Sequence, residues 1–357
     1  MDQNFNTSKT MIKYFNLLSK VVIVGLLLFS SCNKPVDKVI VLGKEIWVNE
    51  APYFIKGICY NPVPMGKVNR EFNELELDLK LMIEAGINTI RVYRPIEDIS
   101  VLDRIDKAGL KVIMGIGYNQ DGRFDLLSKS YVHYIEKFKE HNAILFWELG
   151  NEYNYHPEWF EGNIQNWYAI MEQVVNTIHS IDQNHPVATA HGELPDSLAL
   201  SMGSNIDLWG LNIYRWDNPI ALFDQWEKLT DKPFYFSEVG SDSYMTIEKD
   251  SFAKGENQKA QAHAIKNIVS TVFENQNRNN GLTLFSFSDE WWKAGNPDQQ
   301  DIGGFAPNST GVPYDGSPNE EYWGIVDIER NKKASFFTLK EQYQGFELNK
   351  KPNYGCK

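Results

Sequence analysis

Two glutamates, Glu152 and Glu238, each follow a short apolar run at the point where the chain turns polar. The first run reads I-L-F-W-E-L-G-N-E from Ile144 to Glu152, and the second reads F-Y-F-S-E-V-G from Phe234 to Gly240. Such an acid is either a solvated loop side chain or a carboxylate delivered to the rim of a cavity, since burying it without a partner is costly. Two acids that converge can cleave a glycosidic bond: one protonates the departing oxygen while the other attacks or assists at the anomeric carbon. The residues that other chemistries require do not occur at the right spacing. There is no Cys/His cluster at metal spacing, no G-x-S-x-G nucleophile elbow and no glycine loop that cradles phosphate. No cofactor is therefore expected.

The pair acts only if other elements bring it together. Strand-like runs alternate with helical ones along the chain, which implies βαβ units and a parallel sheet. The expected strands are Phe54 to Cys59, Asn88 to Tyr93, Lys111 to Gly115, Ile144 to Leu149, Pro186 to Thr189, Leu208 to Ile213, Phe234 to Ser237 and Leu282 to Phe287. The expected helices include Glu71 to Ala85, Ser100 (as cap) to Ala108, Ser130 to His141, Ile164 to Ile181, Ile220 to Leu229, Gln258 to Asn277 and Ala334 to Tyr343. Eight such units in this length predict a (β/α)8 TIM barrel; an open doubly wound sheet is the alternative. Val39 to Leu42 and Glu45 to Val48, around Gly43-Lys44, predict a short N-terminal β-hairpin that plugs the barrel floor. The polar stretch 296–321 reads as a functional loop.

In a barrel of this kind the site forms at the C-terminal strand ends. The sequence places Tyr60 and Asn61, Arg91 and Tyr93, Tyr118 and Asn119, Asn151 and Glu152, His191 and Glu193, Tyr214, Glu238, and Glu290 with Trp291 at those ends. Strands four and seven face each other across eight, so Glu152 and Glu238 can meet over the centre. Arg91 and Tyr214 are candidates to hold Glu238 ionised, and Asn151 to bind a sugar 2-hydroxyl. Tyr60 and Tyr93 are candidate subsite walls and Trp291 a stacking platform. His191 is read either as a sugar ligand or as a structural histidine. Glu148 is read as a supporting carboxylate, and Glu290 as a loop acid.

Residues 1–31 read as a secretory signal, with three lysines before the apolar run from Val21 to Phe29. Ser30-Ser31-Cys32 resembles a bacterial lipobox, making Cys32 the expected lipidation site of an exported, membrane-anchored protein, periplasmic or surface-facing. Residues 32–37 would be its tether and 38–357 one catalytic domain. The remainder carries 32 basic and 46 acidic side chains, a formal charge of −14 without basic clusters, which argues against nucleic acid. Beyond Cys32 only Cys59 and Cys356 remain, too few for a disulfide framework. The chain is expected to act as a monomer.

F-I-K-G-I-C-Y from Phe54, I-N-T-I-R-V-Y from Ile87, W-E-L-G-N-E from Trp147, W-G-L-N-I-Y from Trp209 and F-Y-F-S-E-V-G from Phe234 together resemble the clan A glycoside hydrolases. F-I-K-G with I-N-T-I-R-V-Y and L-N-I-Y-R-W is similar to the fungal β-1,3-glucanosyltransferases of family 72, and Y-W-G-I-V-D from Tyr322 resembles the end of family 2 catalytic domains. The extra cysteines of the fungal family are missing. The resemblance implies retention of configuration, with Glu152 as acid/base, Glu238 as nucleophile and Arg91, Asn151 and Tyr214 at clan positions. It implies hydrolysis of a β-linked glucan, β-1,3-glucan foremost. The alternatives are transglycosylation of that glucan, β-mannanase, β-galactosidase or β-glucosidase activity, or a glycan-binding lipoprotein without catalysis.

Overall fold

The structure is a computed structural model that describes residues 36–117, 125–293, 295–302 and 320–348. The expected signal, Cys32, Tyr118, Asn119, Cys356 and most of the stretch 296–321 lie outside the described residues. From Asp37 onward the chain forms one compact unit. Among the described residues, no helix is long and apolar enough to cross a membrane.

Eight parallel strands close into a barrel: β4 (Ile55–Cys59), β5 (Thr89–Val92), β6 (Lys111–Ile116), β7 (Ile144–Asn151), β8 (Val187–Gly192), β9 (Leu208–Asn212), β10 (Phe234–Val239) and β13 (Gly281–Leu284), while β11 (Tyr244–Met245) and β12 (Gly255–Glu256) pair antiparallel outside it. The first three strands of the chain, β1 (Val39–Leu42), β2 (Glu45–Val48) and β3 (Ala51–Tyr53), form an antiparallel sheet of their own. The expected hairpin thus gains a third strand, through a turn in which Asn49 and Glu50 both have positive φ. Val39 and Ile46 pack with Ile55, Ile113, Leu145, Phe146, Ala188, Leu208 and Tyr235, so the sheet seals the apolar floor of the barrel. Asn280 fastens it there, accepting from Ile46 N (3.0 Å) and donating to Lys44 O (3.0 Å).

Helices α1 (Leu75–Ala85), α2 (Ile99–Lys107), α3 (Tyr131–Phe138), α4 (Ile164–Ile181), α5 (Ser197–Met202), α6 (Ile220–Leu229), α7 (Gln258–Glu274) and α8 (Ala334–Gly345) complete the alternation. Apolar faces at helical period drive their packing on the strands. On α4 the buried face comprises Trp167, Tyr168, Met171, Val174, Val175 and Ile178. Helix α1 stops at Gly86, whose φ of 80° is the left-handed conformation glycine adopts freely. Helix α2 begins earlier than expected because Asp98, not Ser100, caps it, accepting from Ser100 N (2.8 Å).

Two irregularities matter for function. The β7–β8 pairing shifts between Leu149 and Asn151, where Gly150 has φ +69°, and the β9–β10 pairing shifts between Phe236 and Glu238. A β-bulge re-aims the side chains that follow it, and each of these lies directly before or at a candidate acid.

Candidate active site

Arg91 on β5 is fully buried and stands at the middle of the site. Its Nε donates to both oxygens of Glu148 (2.8 and 3.0 Å), one terminal nitrogen to Glu238 Oε1 (2.8 Å) and the other to Asn151 Oδ1 (2.8 Å). A buried guanidinium is tolerated only when paired on this scale. Its plane also lies over the Tyr93 ring, 4.6 Å from the centroid. Arg91 therefore ties β5 to β7 and β10 across the top of the barrel.

Glu238, 6% exposed, accepts three hydrogen bonds: from Arg91, from Tyr93 OH (2.7 Å) and from Tyr214 OH (2.7 Å). Glu152 sits differently. It is part-buried, it adopts the left-handed region with φ +57°, and its carboxylate accepts from Asn212 Nδ2 (3.0 Å). A non-glycine residue held there is strained, a feature that clusters at functional sites. Burial, then the charge of Glu238, pushes the Glu152 carboxyl up to about 7, against a smaller pull from Asn212. Asn212 bridges the two corners, since it also donates to Asn151 Oδ1 (3.0 Å) and is oriented by Ser237 Oγ (2.6 Å).

Beneath them, Glu148 (1% exposed) receives Arg91 and the hydroxyl of Tyr235, which comes from β10. The expected supporting carboxylate thus braces Arg91 from the side away from Glu238.

The structure joins Arg91, Tyr93, Asn151, Glu152, Tyr214 and Glu238 in one hydrogen-bonded network. It places Tyr60 and His191 elsewhere. Tyr60 donates to Asp78 Oδ2 on α1 (2.7 Å), a carboxylate shared with Arg330, and packs edge-on against Phe287. Cys59, the last residue of β4, turns its Sγ toward Arg91, and Tyr60 just after it points to the opposite face. His191 is buried between Tyr168 OH (3.3 Å) and Glu193 O (3.0 Å), and burial lowers its pKa, which fits its structural reading. Trp291 lies in a short 3-10 turn with its indole N–H buried and without a hydrogen-bond partner.

Sequence reasoning passed over Asn212 and the bracing role of Tyr235. An asparagine ending the run L-W-G-L-N was the available signal for the first. Glu290 lies outside helix and strand, as expected of a loop acid, yet it is buried (3% exposed), and burial pushes its carboxyl up to about 8 despite the nearby Lys293. Among the described residues, no group of three or more His, Cys, Asp or Glu could hold a metal ion.

No family model matches the chain. It is 23% identical over 270 residues to a 1,3-beta-glucanosyltransferase of Candida albicans, covering 65% of this chain and 56% of the relative. It is 24% identical over 233 residues to a 1,3-beta-glucanosyltransferase of Saccharomyces cerevisiae, covering 54% and 49%. The chain thus spans about half the length of the curated relatives it matches. Among solved structures it superimposes on a GH2 beta-galacturonidase from Eisenbergiella tayi (TM-score 0.65, 20% identity, 87% of this chain and 55% of that one). It also superimposes on a beta-glucuronidase from Faecalibacterium prausnitzii (TM-score 0.66, 18% identity, 87% and 53%). These likenesses show a barrel fold shared with proteins named as glycosidases, and a distant sequence similarity to proteins named as glucanosyltransferases.

Proposed function

We propose that this chain is a retaining β-glycosidase or transglycosylase acting on a β-linked glucan, with β-1,3-glucan as its first candidate substrate. The observation that carries the reading is the asymmetry of the two acids. Glu238 accepts from Arg91, Tyr93 and Tyr214, whereas Glu152 accepts from Asn212 and has its carboxyl pushed up to about 7. Burial and a like charge at one carboxyl, with three hydrogen-bond donors at the other, assign the acid to Glu152 and the nucleophile to Glu238. The names of the two fungal relatives support the glucan.

In this reading a Glu238 oxygen attacks the anomeric carbon while the bond to the leaving oxygen breaks. Glu152 gives its proton to that oxygen, leaving a covalent glycosyl–enzyme and an ionised Glu152. Glu152 then takes a proton from water or from a sugar hydroxyl, which displaces Glu238 from the anomeric carbon. Two inversions give net retention. Arg91 and Tyr214 withdraw from or return to Glu238 only as hydrogen-bond strength shifts, so little reorganisation is needed.

Incubation with β-1,3-gluco-oligosaccharides of defined length tests the reading. Shorter products signify hydrolysis and longer ones transfer; no change on any β-glucan would end the glucan proposal. Export and lipid anchoring at Cys32 remain part of the proposal, supported by the sequence. Labelling with a lipid precursor, lost in Cys32→Ala, is the expected result, and unlabelled wild-type protein would contradict it.

A further inference from the structure

Tyr214 lies in the loop after β9, and from there its hydroxyl reaches Glu238 Oε2 (2.7 Å). Its ring meets Trp323 edge-on (5.2 Å) and Phe285 edge-on (6.4 Å), and these two pack on each other (5.6 Å). Trp323 is buried and comes from a segment outside helix and strand, far along the chain from Tyr214. Whatever holds Trp323 in place therefore helps to aim Tyr214.

The groups that hold it are polar and buried. Gln261 on α7 is fully buried. Its Oε1 accepts from Ser335 Oγ (2.9 Å), which turns its Nε2 toward four backbone carbonyls: Ser241 (3.1 Å), Gly324 (3.1 Å), Trp323 (3.2 Å) and Tyr322 (3.4 Å). That nitrogen carries two hydrogens, and its two nearest acceptors belong to different segments. Ser241 follows the strand end that carries Glu238, and Gly324 follows Trp323. Gln261 thus cross-links the backbone beside the candidate nucleophile to the backbone beside the aromatic wedge. Further bonds pin the same segment. Tyr322 O accepts from Ser243 N, Ser243 Oγ and Lys333 Nζ (3.0 Å each), and Gly324 N donates to Asp289 Oδ1 (2.8 Å), which Lys333 also reaches (2.9 Å). A Cβ at Gly324 would collide with Asp289 N and Val326 O, so the segment has no room to drift.

We propose that Gln261 is a positioning residue for the reaction at Glu238: it clamps Tyr322 to Gly324, seats Trp323 against Tyr214 and so aims the Tyr214 hydroxyl. This rests on the glycosidase reading above and deepens it. Without the amide, the buried carbonyls of Ser241 and Gly324 lose this donor, and the segment must shift to match them. A displacement of about 1 Å that begins far from the reacting atoms is enough to cost about 100-fold in rate. Clamp, wedge and hydroxyl act in series, so removing the first and the last together costs little more than removing the last alone.

The test is a double-mutant cycle on kcat with a β-1,3-gluco-oligosaccharide, combining Gln261→Met with Tyr214→Phe. Gln261→Met alone is expected to lower kcat about tenfold while KM changes less than about threefold. In the Tyr214→Phe background the same change should cost less than about threefold. A full tenfold loss in both backgrounds, or a lowered Tm with kcat unchanged, would overturn the proposal. Should Gln261→Met fail to fold, Ser335→Ala removes the donor that orients the amide. Its smaller loss must vanish in Tyr214→Phe, and a loss that persists there, or no loss at all, overturns the proposal. A second readout needs no turnover: the NMR resonance of the Tyr214 Cζ carbon, assigned by its absence in Tyr214→Phe. In Gln261→Met or Ser335→Ala it should move toward its position in Glu238→Ala, where the acceptor is gone; an unmoved resonance overturns the clamp. If the wild type cleaves no β-glycoside, the activity reading fails separately and this resonance still decides.

Discussion

The corner around Glu238 and the corner around Glu152 lie on one network but differ in almost every physical respect. The first is crowded with donors: an arginine, itself braced by Glu148, and two tyrosine hydroxyls. The second has an asparagine as its donor, a strained backbone and a neighbour of like charge. In the proposed reaction, burial and that neighbouring charge keep the Glu152 carboxyl protonated until it gives its proton to the leaving oxygen. The contrast teaches that the division of labour between two chemically identical side chains is set by what surrounds them.

The comparison can be broken most severely at its donor-rich end. Glu238→Ala is expected to reduce turnover about ten-thousandfold or more, as measured by steady-state rates on an oligosaccharide. Glu152→Ala should cost about 10²- to 10⁴-fold on substrates with poor leaving groups. It should cost far less on aryl glycosides whose leaving group needs no proton, and added azide should restore rate by replacing the deglycosylation nucleophile. A uniform loss on both substrate types would contradict the acid role. Removing one donor, by Tyr214→Phe, should lower kcat about 10- to 100-fold, in line with a hydrogen bond to a charged group.

Smaller effects sharpen the contrast through pH. Glu152 acts as an acid only while protonated, so kcat/KM should fall as pH rises through about 7. In Glu238→Gln the neighbouring charge is gone, and the Glu152 carboxyl, followed by NMR, should titrate lower. Stability should respond with a definite sign. A carboxyl near 4.3 in the unfolded chain and about 7 when folded contributes stability present below the unfolded value and lost as pH rises through the folded one. Glu152→Gln should therefore leave Tm unchanged near pH 4 and raise it above pH 7, by about 2–4 °C. A gain at every pH would mean that the charge is not the cause.

The barrel was legible because buried parallel strands are continuous apolar runs and amphipathic helices repeat at 3.6 residues. Ile164–Ile181 and Ile220–Leu229 carry the boundaries expected of them. Those same apolar runs hide which face is which. Arg91 on β5 and Tyr93 just after it are two residues apart and both reach Glu238. Tyr60, immediately after β4, sits one residue from the inward Cys59 and goes to Asp78 instead. The strand ends were least legible. β8 runs on to Gly192 and β10 to Val239, while β13 stops at Leu284 and Ser288 pairs with Val326 beyond it. That departure buries Glu290 beside residues far along the chain, which no local pattern announces.

The central claim is that Glu238 is the nucleophile of a retaining reaction. The direct measurement is to incubate the protein with an activated 2-deoxy-2-fluoro aryl glycoside, weigh the intact chain and map the adduct by peptide mass spectrometry. One glycosyl group is expected, on Glu238, and none in Glu238→Gln. An adduct on Glu152 or Glu290, or a wild type that cleaves the parent glycoside with inversion and forms no adduct, would contradict it.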